Sequence, residues 1–434
     1  MNKIIVLLFC CAAGGLAPWG ADAEDLPPLT LQEARETALR NHPLITVADL
    51  KTMAAREVTK EARSAYYPNV SANSVSVGTA DSNTRLAAIG TLNNPSIFER
   101  NAEGVMISHL ITDFGRTANL TSSAKLRAES EANNARATRE QVLLAVDSAF
   151  YGTLKAQSVS RVAQQTVTTR QSFLDQVSAL ASKKLRSELN VSFAKVNVED
   201  ANLLLSRAQN DLQASFAQLS TLLGLREPKS YLLLEPPLPS EVSTNVSNYV
   251  QQALNMRPDL VSAREQHEAA LKFAKAERAL RYPSVSAVGS AGVVPIHDPQ
   301  LPDNYAAAGV IMNIPLFSGG LYSARQREAE LRAEAIAASM RDLENNVIRD
   351  VHIAWLNAQN AFDRNRITGR LLENAKESWN LAQARYQNGL SSIVELNQAE
   401  LNLISSEISF ATTRYEYLIQ RSALNFQVGT NPGG

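Results

Sequence analysis

The residues able to do chemistry are few and scattered in this chain. Five histidines, His42, His109, His267, His297 and His352, share no metal-ligand spacing with one another. His267 is followed by Glu268 on a helical pattern, but no second histidine stands at a suitable spacing, so the pair reads as helix surface. There is no nucleophile elbow and no phosphate loop; the glycines of Leu223-Gly224-Leu225 and Ser318-Gly319-Gly320 fit helix ends and turns. Both cysteines, Cys10 and Cys11, lie in the first 23 residues. No catalytic residue, metal site or cofactor is expected. With 43 acidic against 42 basic residues and a net charge of -1, nucleic acid is not indicated as a partner.

The elements behind this pattern begin with a secretory signal, residues 1–23. Lys3 supplies the positive start, Ile4 to Leu16 the apolar stretch, and Ala21-Asp22-Ala23 a small-x-small cleavage site. The apolar run is too short for a membrane anchor. Phe9 before Cys10, and Cys10 before Cys11, fail the small-residue requirement of a lipidation site, so the mature chain carries no thiol. No later run approaches the length of a transmembrane helix, and any membrane insertion must therefore use a closed β-barrel.

The rest of the chain says the same thing twice. Ala38-Leu39-Arg40-Asn41-His42-Pro43-Leu44 and Tyr67-Pro68-Asn69-Val70 return as Ala253-Leu254-Asn255-Met256-Arg257-Pro258-Asp259-Leu260 and Tyr282-Pro283-Ser284-Val285. Both prolines and the Tyr-Pro pair keep one offset. At a slightly smaller offset Phe114-Gly115 pairs with Phe317-Ser318-Gly319, Phe150 with Trp355, and Gly224 with Gly429. The expected units are residues 24–240 and 241–434.

Each unit has the same order of parts. A helix comes first, Leu31 to about Ala65 and Tyr249 to about Leu280, with Thr30 and Glu33 at capping-box spacing and Pro43 or Pro258 breaking it early. Two strands follow, at about 68–78 and 102–111 in the first unit and 283–294 and 305–316 in the second, joined by loops rich in Asn, Gly and Pro. Val285, Ala287, Gly289, Ala291 and Val293 alternate with more polar positions, and the strands have the length of tilted membrane strands. A pair of soluble hairpins is the plainer alternative. Then come proline-free stretches rich in helix formers, Arg116 to Glu227 and Leu316 to Asn431. Val142, Ala145 and Ala149, then Leu203, Leu212, Leu219 and Leu223, suggest coiled-coil seams. Gly389 marks the reversal in the second stretch. Its counterpart is Lys184, with Leu185 and Ser187 matching Leu390 and Ser392. A helix from Arg116 to Lys184 would run roughly 100 Å at about 1.5 Å per residue.

This order resembles the TolC-like outer membrane efflux family over essentially the whole mature chain. The resemblance is carried by Leu29-Thr30-Leu31-Gln32-Glu33-Ala34, Asn41-His42-Pro43-Leu44, Arg257-Pro258-Asp259-Leu260, the two Tyr-Pro strand entries, Pro315-Leu316-Phe317-Ser318-Gly319-Gly320 and Tyr386-Gln387-Asn388-Gly389. It implies a mainly α fold with a membrane β-barrel: a homotrimer whose four strands per protomer close a twelve-stranded barrel above a periplasmic helical tunnel. It also implies an outer membrane exit duct, passive and embedded in outer membrane lipid. Such a duct works with a periplasmic adaptor and an inner-membrane transporter, in multidrug efflux or type I secretion. A periplasmic coiled-coil adaptor or scaffold without a pore is the alternative, which the paired hairpins disfavour.

For individual residues the resemblance implies a gate. In this family the periplasmic mouth narrows just after the second reversal, where an acidic pair lines the pore and a tyrosine and an arginine hold it shut. Tyr386 falls at the tyrosine position and Glu395 at the first acid; Ser391 stands at the arginine position and Gln398 at the second acid. One acidic ring is therefore expected, attractive to cations, with an incomplete charged clamp. The plainer alternatives are a solvated helix charge for Glu395 and ordinary packing for Tyr386. The reversal tips, with Lys184, Leu185, Ser187, Gly389, Leu390 and Ser392, would meet the adaptor.

Overall fold

The computed structural model describes residues 26–78, 100–184, 187–296 and 302–430. The secretory signal, His297 and Leu185 lie outside them. A short strand β1 (Pro28–Leu29) precedes α1 (Leu31–Asn41) and α2 (Pro43–Ser64), then β2 (Asn69–Val77), β3 (Arg100–Thr112), α3 (Arg116–Ser182) and α4 (Glu188–Leu222). After β4 (Leu232–Leu233) the order repeats: α5 (Val246–Met256), α6 (Pro258–Ala279), β5 (Ser284–Ile296), β6 (Asn304–Asn313), α7 (Leu321–Gln387) and α8 (Ile393–Val428). Among the described residues the chain is mainly helical, with two antiparallel hairpins and four very long helices.

Local chemistry accounts for the boundaries. Thr30 closes a capping box: its hydroxyl accepts from the Glu33 N–H at 3.2 Å and the Glu33 carboxylate accepts from the Thr30 N–H at 2.8 Å. Each helix pair α1–α2 and α5–α6 is broken at a proline that opens the second helix, where its missing N–H costs nothing. His42 caps α2 through Nδ1, accepting from the Leu44 N–H at 3.3 Å. β6 ends at Asn313 rather than near Leu316, since Pro315 has no N–H for a ladder.

The four longer strands form one antiparallel sheet in the order β2-β3-β5-β6. Alternation gives it two faces. One row is mostly apolar, with Val70, Ala72, Ile107, Val105, Val285, Ala287, Ala291, Met312 and Val310 beside Ser74 and Glu103; the other is the more polar, with Asn69, Ser71, Asn73, Ser108, Ser284, Ser286, Ser290 and Asn313 beside Met106, Val288 and Ile311. Gly104 and Gly292 let Tyr305 lie across the polar row, because a Cβ on either would collide with the phenol. Both outer strands, β2 and β6, are edges.

Phe114 and Gly115 are both left-handed (φ 52° and 90°) just before α3, as are Gly319 and Gly320 (φ 59° and 84°) just before α7. This corrects the alignment of Phe114-Gly115 with Phe317-Ser318-Gly319. The backbone counterpart of Phe114 is Gly319, and Phe317 takes the place of Thr112.

Below the sheet, α3 and α7 have 67 residues each, about 100 Å at 1.5 Å per residue. Each folds back along α4 or α8. The α4 seam is Ala194, Val198, Ala201, Ala208, Phe216, Leu219 and Leu223, all buried. Leu203 is exposed instead: it lies off that heptad, on the face of α4 turned away from α3. The largest core gathers Leu29, Ala34, Ile45, Val142, Val146, Phe150, Leu219, Leu223, Leu233 and Leu418 where α1, the β1–β4 ladder and the helical hairpins meet. Each large side chain there contributes about 1.5–3 kcal/mol by burial. Fully buried Asp147 is held in that core by a two-pronged bond from Arg35 at 2.7 and 2.5 Å. Burial, reinforced by the Asp147 charge, pushes the neighbouring Tyr151 hydroxyl up to about 12. In the second half Trp355 occupies the place of Phe150 and donates its Nε1–H to the Ser243 carbonyl at 2.8 Å.

Candidate functional site

The candidate site is the reversal between α7 and α8. α7 ends in a Schellman motif: the Leu390 N–H reaches the Arg385 carbonyl at 2.8 Å and the Gly389 N–H reaches that of Tyr386 at 3.0 Å. Gly389 supplies the left-handed residue (φ 76°). Ser392 then caps α8, its hydroxyl accepting from the Glu395 N–H at 3.3 Å. The first half reverses the same way with Lys184, a non-glycine at φ 59°, and with Ser187 capping α4 through the Leu189 N–H at 3.2 Å.

α8 presents two different faces beyond this turn. Ile393, Leu396 and Ala399 are buried with Ala382 and Tyr386 of α7, against Phe173 of α3 and Trp379. The Tyr386 and Phe173 rings are 5.9 Å apart. Tyr386 thus packs between the two halves and away from Glu395. Further along, Arg170 of α3 is buried, donating to the Glu400 carboxylate at 3.2 Å and to the Asn197 carbonyl at 2.8 Å. Asn197 donates in turn to Asn397 at 3.1 Å. These three bonds tie α3 and α4 to α8.

On the other face Glu395, Gln398 and Asn402 form one polar row at helical spacing. They line an open cleft of about 790 Å³ together with Ser378, Leu381 and Arg385 of α7. Gln398 donates to Asn402 at 3.1 Å, and the Arg385 guanidinium lies 3.7 Å from the Glu395 carboxylate. Both charged groups are about half exposed, so the pair is worth at most about 1 kcal/mol and can break readily. Leu390 is exposed at the tip. The Ser391 hydroxyl is buried beside it and meets no hydrogen-bond partner among the described residues.

The structure brings Glu395 and Gln398 onto one cleft and sends Tyr386 to the opposite face. Sequence reasoning missed Arg385, the cation of α7 that faces Glu395. It also missed the Arg170–Glu400 tie. Arg385 had a signal: it precedes Gly389 by one helical turn, and the reversal folds it back over the first turn of α8. Arg170 had none, being 230 residues from its partner. Among the described residues no cluster of His, Cys, Asp or Glu could hold a metal ion, and no helix is long and apolar enough to cross a membrane.

Comparison with known proteins agrees with this architecture. The model of the "Outer membrane efflux protein" family matches residues 34–225 and 249–430. The chain is 24% identical over 399 residues to the toluene efflux pump outer membrane protein TtgC of Pseudomonas putida, covering 89% of this chain and 80% of that one. It is similarly 24% identical over 396 residues to the antibiotic efflux pump outer membrane protein ArpC of Pseudomonas putida, at the same coverage. Among solved structures, a membrane protein from Pseudomonas aeruginosa superposes with a TM-score of 0.77 at 22% identity, over 94% of each chain. The open-state Neisseria gonorrhoeae MtrE outer membrane channel does so with a TM-score of 0.76 at 19% identity, over 92% of this chain and 89% of that one. The chain belongs to the outer membrane efflux protein family: it is a non-catalytic exit duct of the outer membrane with a large periplasmic portion, serving a tripartite efflux system.

Proposed function

We propose that three copies of this chain close a twelve-stranded barrel in outer membrane lipid, continuous with a periplasmic tunnel of long helices. A periplasmic adaptor meets the reversal tips around Lys184, Leu185, Ser187, Gly389, Leu390 and Ser392, and an inner-membrane pump drives export. The observation that carries this reading is the four-stranded sheet with two open edges, β2 and β6. In hydrocarbon every N–H and C=O on an edge needs a partner, and closure with further copies satisfies all of them at once.

Within the duct, Glu395 lines the periplasmic mouth, with Gln398 and Asn402 one and two turns further along. Three copies of Glu395 place three carboxylates around the axis, favouring cations. Arg385 screens each carboxylate at rest, so breaking this half-exposed pair exposes the ring. Tyr386 braces the hairpin against Phe173 and serves the gate through position. The cargo is a small molecule, as the toluene and antibiotic pumps among the relatives suggest; type I protein secretion is the second reading. Residues 1–23 are the export signal, and residues 24–240 and 241–434 are the two repeats.

The test is single-channel conductance in a planar bilayer for the native chain and for Glu395→Gln. A cation-selective pore whose selectivity falls in the variant is expected. Unchanged selectivity would remove Glu395 from the pore, and failure to insert would favour the soluble scaffold.

A further inference from the structure

The two reversal tips share a backbone and differ in charge. Lys183 and Asn388 close α3 and α7 with φ of -89° and -85° and ψ of 8° and 5°. The left-handed residue follows at Lys184 or Gly389, and Ser187 or Ser392 then caps the returning helix in extended conformation. One shift of 205 residues carries Lys184 onto Gly389 and Ser187 onto Ser392.

The charges do not follow that shift. Over residues 176–198 the chain holds Lys183, Lys184, Arg186 and Lys195 against Glu188, a net charge of +3. Over residues 381–403, the same stretch of the second half, it holds Arg385 against Glu395 and Glu400, a net charge of -1. The second tip also neutralises itself. Arg385 faces Glu395 at 3.7 Å, and Glu400 accepts from Arg170 of α3 at 3.2 Å. At the first tip Lys183, Lys184 and Glu188 are exposed, and none of the three forms an ion pair among the described residues.

The backbone adds a second sign. Position 184 sits at φ 59°, where a Cβ crowds the following carbonyl and glycine is free of that penalty. The second half uses Gly389 there, whereas the first half keeps a lysine in the strained conformation. Complementing the α3 dipole does not require it, because Arg385 serves α7 from inside its last turn at ordinary helical angles. A strained, exposed cation with no ion-pair partner in its own chain points outward.

We infer that the first reversal tip is a positively charged docking surface, and that the partner end seated on it is the acidic turn of a helical hairpin. The inference rests on the reading that a periplasmic adaptor meets the tips. It adds the chemistry of the adaptor's end and its choice between the two tips. In the proposed trimer three positive tips alternate around the mouth with three tips whose charges are paired and whose Leu390 and Val394 are exposed. Complementary charge speeds an acidic end to the first kind and gives it no advantage at the second.

Two synthetic helical hairpins of one design test this. Each is closed by a disulfide and carries a fluorophore; the turn of one bears two aspartates and that of the other two asparagines. Binding to the full chain in detergent micelles is read by fluorescence anisotropy, with unstructured polyglutamate as a third probe. The aspartate hairpin is expected to bind the native chain about tenfold more tightly than the asparagine one. That advantage should vanish at about 1 M salt, where screening acts within about 3 Å. It should vanish too in the double variant Lys183→Gln, Lys184→Gly, whose new residue at 184 relieves the backbone and keeps the fold. It should persist in Arg366→Gln, which removes an exposed cation of α7 away from the tip. Equal affinity of the two hairpins for the native chain, or an advantage that survives in the double variant, overturns the charged surface and leaves tip docking standing. Polyglutamate binding as tightly as the aspartate hairpin also overturns it, since the tip would then be an unselective anion patch. Binding of neither hairpin overturns tip docking and the inference with it.

Discussion

Arg170 offers the sharpest test of how the reversal tips are held. Its side chain is 6% exposed, and its bonds to Glu400 and Asn197 join the first half of the chain to α8 close to the second tip. Arg170→Met keeps the aliphatic stem and its packing but removes the charge and the donors. Glu400 then loses a charge-assisted hydrogen bond, a cost of about 1.5–3 kcal/mol. Glu400 is 14% exposed and keeps some access to water, so the full cost of about 3–5 kcal/mol for breaking a buried pair is not reached. A net loss of about 2–3 kcal/mol in local stability is expected, which is roughly 30- to 150-fold faster amide exchange where opening is local.

The assay is hydrogen exchange read by mass spectrometry on peptides covering residues 393–404. Arg366→Met serves as control, because its pair with Asp363 is exposed and within one helix, and little change is expected there. Arg170→Lys should recover part of the protection, since an ammonium can serve Glu400 as a point charge but lacks the fork that also reaches Asn197. Exchange in Arg170→Met within about threefold of native, or acceleration spread evenly over all helices, would refute the claim that this pair fastens the tip.

Three further outcomes are expected. Gly224→Ala should cost most among the left-handed glycines, about 3 kcal/mol, because its Cβ would lie 2.7 Å from the Asn41 carbonyl oxygen. Gly429→Ala, 3.2 Å from the Arg257 nitrogen, should cost about 2 kcal/mol, and Gly389→Ala, with open space around it, about 1 kcal/mol; unfolding midpoints compared under one scan check the order. Burial, with Asp259 adding to it and Arg257 and Arg136 opposing, raises the Glu140 carboxyl above its usual range. The folded state therefore holds this proton longer than the unfolded chain. Stability is fully retained below the unfolded value and falls as pH rises through the raised one. Glu140→Gln should remove that fall, seen as a melting difference from native that grows across the carboxylate range and then levels off. Mass spectrometry of the chain purified from outer membrane should show a start at Glu24; an intact Met1 would remove the export signal.

The sequence disclosed those features that repeat or that depend on near neighbours. Two prolines and two Tyr-Pro pairs at one offset announce duplicated architecture, and the capping box at Thr30 and Glu33 needs only three residues to be read. The reversal at Gly389 is legible because one residue must adopt a left-handed backbone and glycine does so without strain. In the first half the same bend is made at Lys184, and only repetition located it. Distant pairings left no such trace. The β1–β4 ladder joins Pro28-Leu29 to Leu232-Leu233, and the Arg35–Asp147 bond spans 112 residues. Neither carries a periodicity or a turn preference. The Phe114 alignment shows a subtler failure: aromatic identity matched Phe114 to Phe317, whereas backbone handedness matches it to Gly319. That difference has a consequence for the duct. Inside the chain Phe114 leans on Tyr282, ring centroids 6.0 Å apart, beside the β3–β5 seam. At the β6 edge the equivalent backbone position is a bare glycine, and the aromatic ring sits two residues earlier, almost wholly exposed. Were the chain self-sufficient, so large an apolar side chain next to an open strand edge would be a liability for aggregation. In the proposed trimer a second copy closing on that edge would turn it into a contact and would satisfy the edge's backbone hydrogen bonds. Phe317 and the open edge of β6 are therefore two features that the proposed closure would cover together.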